Sequence, residues 1–117
     1  MSFLNNRLPE TSEAFQRMRE SIFKNGALDI KTKELIAISS SVLMRCETCT
    51  EIHSQRALLN GSNEDEIAET IAVAMFIAAG SQIGWTNIYE KIFENQDFKK
   101  ENACCEKDDS CCCGEDK

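Results

Sequence analysis

Pro9 is the only proline in this chain of 117 residues and glycine is scarce, so little in the sequence forbids helix once the first turn is past. The apolar residues use that freedom. Phe15, Met18, Ile22 and Phe23 recur at the three- and four-residue steps of one helix face. Thr11 or Ser12 offers an N-cap for this helix, which should end near Asn25-Gly26. Asp29 caps a second, whose apolar positions are Ile30, Leu35, Ile36, Ile38, Val42 and Leu43. Within it, Ser39-Ser40-Ser41 is either a solvated face or a place where small side chains let another helix cross closely. A third helix is expected from Arg45 or Cys46 to the C-cap pair Asn60-Gly61. Ser62 to Glu66 then supplies capping oxygens and first-turn carboxylates for a fourth. Its stretch from Ile67 to Ala79 is apolar nearly all round, the pattern of a central helix buried on most faces. Gly80-Ser81 should interrupt it before a last amphipathic helix marked by Ile83, Trp85, Ile88, Tyr89, Ile92 and Phe93. No segment alternates at period two with β-branched enrichment, so the expected fold class is all-α.

A chain of this length supports one domain with a modest core. Its net charge of −7 and pI near 4.7 argue against nucleic acid or an anionic membrane surface as partner, since both would repel it. The opening Met1-Ser2-Phe3-Leu4-Asn5-Asn6 has no basic leader, and the longest apolar run, Ile71 to Ala79, falls short of the roughly 20 residues a membrane helix needs. A soluble, cytoplasmic protein is expected. In a reducing compartment, seven cysteines point to catalysis or metal binding rather than to a disulfide framework. From Asn95 onward, charge and cysteine replace apolar periodicity, which divides the chain into a helical domain at 1–97 and an acidic, cysteine-rich, flexible tail at 98–117. The tail thiols Cys104, Cys105, Cys111, Cys112 and Cys113 have three readings. They form a thiolate-only soft-metal site completed by Asp108 or Asp109, they act as a thiol relay, or they have no defined role.

Chemistry concentrates at Cys46-Glu47-Thr48-Cys49 and His53. Steps of three and four residues place both thiols and the imidazole on one face of a helix. Two cysteines so spaced can close a disulfide with little backbone movement, and a helix N-terminus and a nearby imidazole both favour thiolate. The same spacing also suits half of a zinc site, or two thiols that pack as small hydrophobes. His53 is the only histidine. Taken alone, Glu34 reads as part of a charged helix start, paired with Lys31 or Lys33.

Taken together, Glu34, Cys46, Cys49 and His53 resemble the redox branch of the AhpD-like alkylhydroperoxidase and carboxymuconolactone decarboxylase superfamily. There a glutamate precedes the first cysteine of C-x-x-C by twelve residues and a histidine follows the second by four, as here. The likeness runs in general character from about Leu28 to Phe93. It implies an all-α domain assembled as a homo-trimer or homo-hexamer, with the cysteine pair at a helix start in a pocket near a subunit interface. It also implies catalytic roles for all four residues, with Cys46 and Cys49 as a redox disulfide. On that pattern Cys49 attacks a hydroperoxide or disulfide substrate, His53 and Glu34 relay protons, and Cys46 resolves the product. The opposite assignment of the two thiols follows if the N-terminal cysteine is the more acidic. Thr48 stands where some family peroxidases carry a second histidine, which makes disulfide reduction a competitor to peroxide reduction. No nucleotide, flavin or haem motif is legible, so no cofactor is expected, and electrons should come from a dithiol or thioredoxin-like donor. Two other classes remain open: a metal or metalloid binder sharing Cys46, Cys49 and the tail thiols, and a decarboxylase-like enzyme using Glu34 and His53.

Overall fold

Capping chemistry accounts for most helix boundaries in the computed structural model, which describes residues 2–95. Six helices follow in order: α1 (Ser2–Arg7), α2 (Pro9–Ile22), α3 (Ile30–Leu43), α4 (Glu47–Leu59), α5 (Glu64–Trp85) and α6 (Ile88–Glu94), with no strand among the described residues. The all-α expectation holds. The expected domain limit at 97/98 and the five tail cysteines lie outside the described residues.

The start of α2 differs from expectation. Neither Thr11 nor Ser12 caps it. Pro9 itself opens the helix, where its fixed φ is pre-organised and its missing N–H costs nothing. Ser12 is instead buried and donates its hydroxyl to the Asn5 side chain, tying α2 to α1, a helix not foreseen. The helix also ends at Ile22, short of Asn25-Gly26. Lys33 reaches the freed carbonyls of Ile22 and Lys24 at 2.8 and 2.7 Å and so satisfies acceptors left over at the helix end.

Asp29 caps α3 as expected, its carboxylate accepting from the Thr32 N–H at 2.7 Å. α3 and α4 then close in the same way. At the first, the N–H groups of Arg45 and Cys46 bond the carbonyls of Val42 and Ser41. At the second, those of Gly61 and Ser62 bond Leu58 and Ala57. This closure demands a left-handed residue, which is Gly61 (φ 89°) after α4 but Arg45 (φ 54°) after α3. α3 and α4 pack against each other as a helical hairpin, and the fully buried Ile38 and Ala57 belong to this pair. The hydroxyls of Ser40 and Ser41 bond back to the carbonyls of Ile36 and Ala37.

α5 begins with a reciprocal cap in which Asn63 and Glu66 each accept the other's backbone N–H. It then departs from expectation twice. It runs through Gly80-Ser81 without interruption, because a glycine inside a helix costs only about 1 kcal/mol. Nor is it buried on most faces: only Ala74 is buried, while Val73, Met75, Phe76 and Ile77 are exposed, Phe76 at 76 %. The stretch Glu64–Glu94 is long and apolar enough, by length and composition alone, to cross a membrane. The apolar run Ile71 to Ala79 understated it, since Gly80, Ser81, Gln82 and Gly84 bring no charge.

The described residues divide into two compact units, with the boundary between Ala78 and Ala79. The first holds α1 to α4 and the larger part of α5, including the Lys31–Glu66 ion pair at 2.5 Å that ties α5 to α3. In the second, Tyr89 stacks on Phe93 within α6, and Ile83, Trp85, Ile88 and Phe93 are exposed.

Candidate redox site

Cys46 stands where two helix ends meet. Its N–H finishes the closure of α3 by bonding the Ser41 carbonyl at 2.9 Å, and its Sγ accepts from the Cys49 N–H at 3.3 Å as the N-cap of α4. One residue therefore ends one helix and starts the next, and the left-handed Arg45 before it makes that reversal. α3 and α4 break just before the C-x-x-C, so Cys46 is the N-cap of α4 and Cys49 lies in its first turn, where the helix dipole favours negative sulfur. Cys46 and Cys49 are joined by a disulfide, with their Cα atoms 5.2 Å apart. Both are half-buried.

One turn further along α4, His53 meets Glu34 of α3, with Nδ1 and Oε2 2.6 Å apart. Glu34 is only 2 % exposed, and its carboxylate has this imidazole as its ionic partner. Lys31 and Lys33, the partners a plain charged helix start would have used, are engaged elsewhere, with Glu66 and with the end of α2. A carboxylate accepting at Nδ1 fixes the ring's tautomer and leaves Nε2 for exchange with a reacting group. Phe23, the C-cap of α2, stacks on the His53 ring with centroids 5.2 Å apart and planes at 25°, which holds the imidazole plane.

Cys49 and His53 line one pocket of about 460 Å³, within the size range of small-molecule clefts. Its walls are largely apolar, with Phe15, Met18 and Ile22 from α2 and Ile52 from α4, and Thr48 lies beside Cys49. Cys46 lines a different cleft together with Val42, Arg45, Glu47, Thr50 and Glu51. The structure thus brings Glu34, Cys46, Cys49 and His53 together. Phe23 and the α2 wall were missed, because an apolar stripe at helical spacing reads as core. Among the described residues no group of three or more His, Cys, Asp or Glu side chains is placed to hold a metal ion.

Comparison with known proteins places the fold and the family. A protein of Methanobacterium thermoautotrophicum, known from its crystal structure, is 39 % identical, with a TM-score of 0.68 over 72 % of this chain and 94 % of its own. The apo form of a carboxymuconolactone decarboxylase family protein from Legionella pneumophila is 30 % identical, with a TM-score of 0.63 over 80 % of this chain and 83 % of its own. Uncharacterized protein 4 in the cox locus of Paracoccus denitrificans is 35 % identical over 75 residues, which is 64 % of this chain and 68 % of that protein. The family profile itself matches residues 9–86, from the start of α2 to just beyond the end of α5. On these grounds, with an AhpD-like helical fold behind them, the chain belongs to the carboxymuconolactone decarboxylase family.

Proposed function

We propose that this protein is a thiol-dependent oxidoreductase that reduces hydroperoxides at Cys49. The observation that carries the reading is a disulfide at a helix start with His53, paired to the buried Glu34, one turn away. In the reduced enzyme the Cys49 thiolate attacks the terminal peroxide oxygen. The O–O bond breaks, the sulfur becomes a sulfenic acid, and the departing alkoxide takes a proton from His53, which Glu34 holds in place. The Cys46 thiol then attacks that sulfur. The S–O bond breaks, water leaves with the thiol's proton, and the Cys46–Cys49 disulfide forms. An external dithiol, free or on a thioredoxin-like protein, reopens it by exchange and is itself oxidised to a disulfide. Cys49 takes the attacking role because it, and not Cys46, shares its pocket with His53.

The test is single turnover of the reduced protein with one equivalent of an organic hydroperoxide, followed by mass mapping of the sulfurs. Cys46→Ser should trap an oxidised Cys49, and Cys49→Ser should leave the peroxide unconsumed. An adduct trapped on Cys46 instead would reverse the two roles, and oxidation that spares this pair would overturn the reading. Thr48 beside Cys49 favours one alternative, disulfide reduction without peroxidase activity, because a hydroxyl lends a leaving alkoxide less help than an imidazolium. Dithiol-driven reduction of a disulfide substrate with no peroxide consumption would select it.

The same reading includes assembly in a reducing, cytoplasmic setting. The exposed Val73, Met75, Phe76 and Ile77 suit burial against further copies of the chain, as a homo-trimer or homo-hexamer. Light scattering on the eluting peak should report a multiple of the 13.2 kDa chain. A detergent-free monomer, or a protein extracted only with detergent, would refute that.

A further inference from the structure

The pocket over Cys49 carries a charge pattern that attack on a simple alkyl peroxide does not need. Two arginines line it, Arg19 from α2 and Arg56 from α4, and no Asp or Glu does, in a chain whose net charge is −7. Both are half-buried, and neither forms an ion pair among the described residues. Arg17, two residues before Arg19, shows the usual arrangement: it is exposed and paired to Glu13 at 2.7 Å. A guanidinium drawn partly out of water beside apolar walls, with no carboxylate opposite, is complementary to an anion from outside. The walls, with Phe15, Met18, Ile22 and Ile52 all partly open, are complementary to hydrocarbon.

We propose that the pocket selects amphiphilic hydroperoxides, with an alkyl chain bearing the peroxide and a carboxylate held by Arg19 and Arg56. This rests on the peroxidase reading above and adds the substrate class. Spacing along α4 sets the geometry. Arg56 lies seven residues beyond Cys49, on the order of 10 Å along the helix axis, so the peroxide sits well down the chain from the carboxylate. The chemistry is unchanged: the O–O bond breaks at Cys49, the alcohol leaves, and the carboxylate is a handle that neither gains nor loses electrons. Arg19 and Arg56 are thus specificity residues that position the substrate without touching the reacting atoms.

The experiment compares oleic acid hydroperoxide, with its peroxide at mid-chain, against its methyl ester, using dithiothreitol as the dithiol. The wild type should favour the acid by about tenfold or more in kcat/KM, the scale of a charge-assisted hydrogen bond. In Arg19→Gln/Arg56→Gln the preference should fall to near unity, Arg19→Lys/Arg56→Lys should restore part of it, and Arg17→Gln should keep it whole. Equal rates on acid and ester in the wild type, or a preference that survives the double glutamine variant, would overturn the proposal. Equilibrium binding of the matching hydroxy acid and its ester separates the two readings and also covers a poorly active variant. Tighter binding of the acid without peroxide turnover leaves anion selection standing and removes the peroxidase reading. Turnover of both peroxides with equal binding of both alcohols does the reverse.

Discussion

Replacing Glu34 with glutamine removes one charge and almost nothing else. The side chain keeps its shape in a site that is 2 % exposed, and its carbonyl oxygen can still accept from His53 Nδ1, the contact now made at 2.6 Å. What disappears is the ionised acceptor that stabilises a protonated imidazole. Hydrogen bonds to charged groups are worth about 1.5–3 kcal/mol against about 1 kcal/mol for neutral ones. The difference, on the order of 0.5–2 kcal/mol, applies on the proposed mechanism when His53 carries its extra proton, just before it protonates the departing alkoxide. At 1.36 kcal/mol per factor of ten, turnover should therefore fall about 2- to 30-fold, with more lost if the amide turns its NH₂ toward the ring. Stability should move by less than about 1 kcal/mol, since no cavity opens. Peroxide consumption under saturating dithiol reads the first quantity, and urea unfolding of the oxidised protein reads the second. If Glu34→Gln keeps wild-type turnover with its fold intact, the carboxylate is a structural partner of the ring and the proton relay is wrong. Glu34→Ala should differ in kind, because it strands a buried Nδ1–H and empties a buried volume, and most of its loss should appear as unfolding.

Other perturbations test the scaffold. Arg45→Gly relieves a left-handed residue and should stabilise the oxidised protein by roughly 0.5–1 kcal/mol in urea, net of glycine's entropy in the unfolded chain; destabilisation would mean that the arginine side chain matters more than its φ. Ile38→Ala, at a fully buried position, should cost about 2–5 kcal/mol, and calorimetry showing under 1 kcal/mol would mean the hairpin core is not where stability resides. Asp29 and Glu66 are both held below the ordinary carboxylate range. Hydrogen bonds from Thr32, with Lys31 nearby, lower Asp29, and the hydrogen bond from Lys31 followed by the Asn63 N–H lowers Glu66. Because the folded form holds these protons less tightly, their contribution is complete above the usual carboxylate range and fades as pH falls from about 4 through the lower folded values. Thermal melts should show Asp29→Asn/Glu66→Gln flattening that acid limb, and an unchanged slope would contradict the assignment.

The site was legible where chemistry lies within one helix and opaque where helices meet. Cys46, Cys49 and His53 share a face of α4, so periodicity alone grouped them, and Asp29, Asn60 and Gly61 marked their helix ends by chemistry that acts within a few residues. Glu34 came into the group only through the family spacing, because nothing in Lys31-Thr32-Lys33-Glu34 says that the lysines will bond elsewhere. Phe23 shows the limit most plainly. An aromatic at the end of an amphipathic helix is expected in a core, and its stacking on His53 depends on how α2 lies against the α3–α4 hairpin. The misreading of α5 has another cause: an apolar pattern reports that a surface is to be covered, and is silent on whether the cover belongs to the same chain.

The disulfide itself is a single bond with two different outlooks. Cys49 faces the apolar pocket with His53, while Cys46 opens on a separate cleft beside the charged Arg45 and Glu51. On the proposed peroxidase reading, a reductant that strikes sulfur at Cys46 does not have to wait for an oily alcohol to vacate the other doorway. On that reading the bond works as a partition wall with a hatch: electrons would pass through it, and the two visitors that exchange them would never need to occupy the same room.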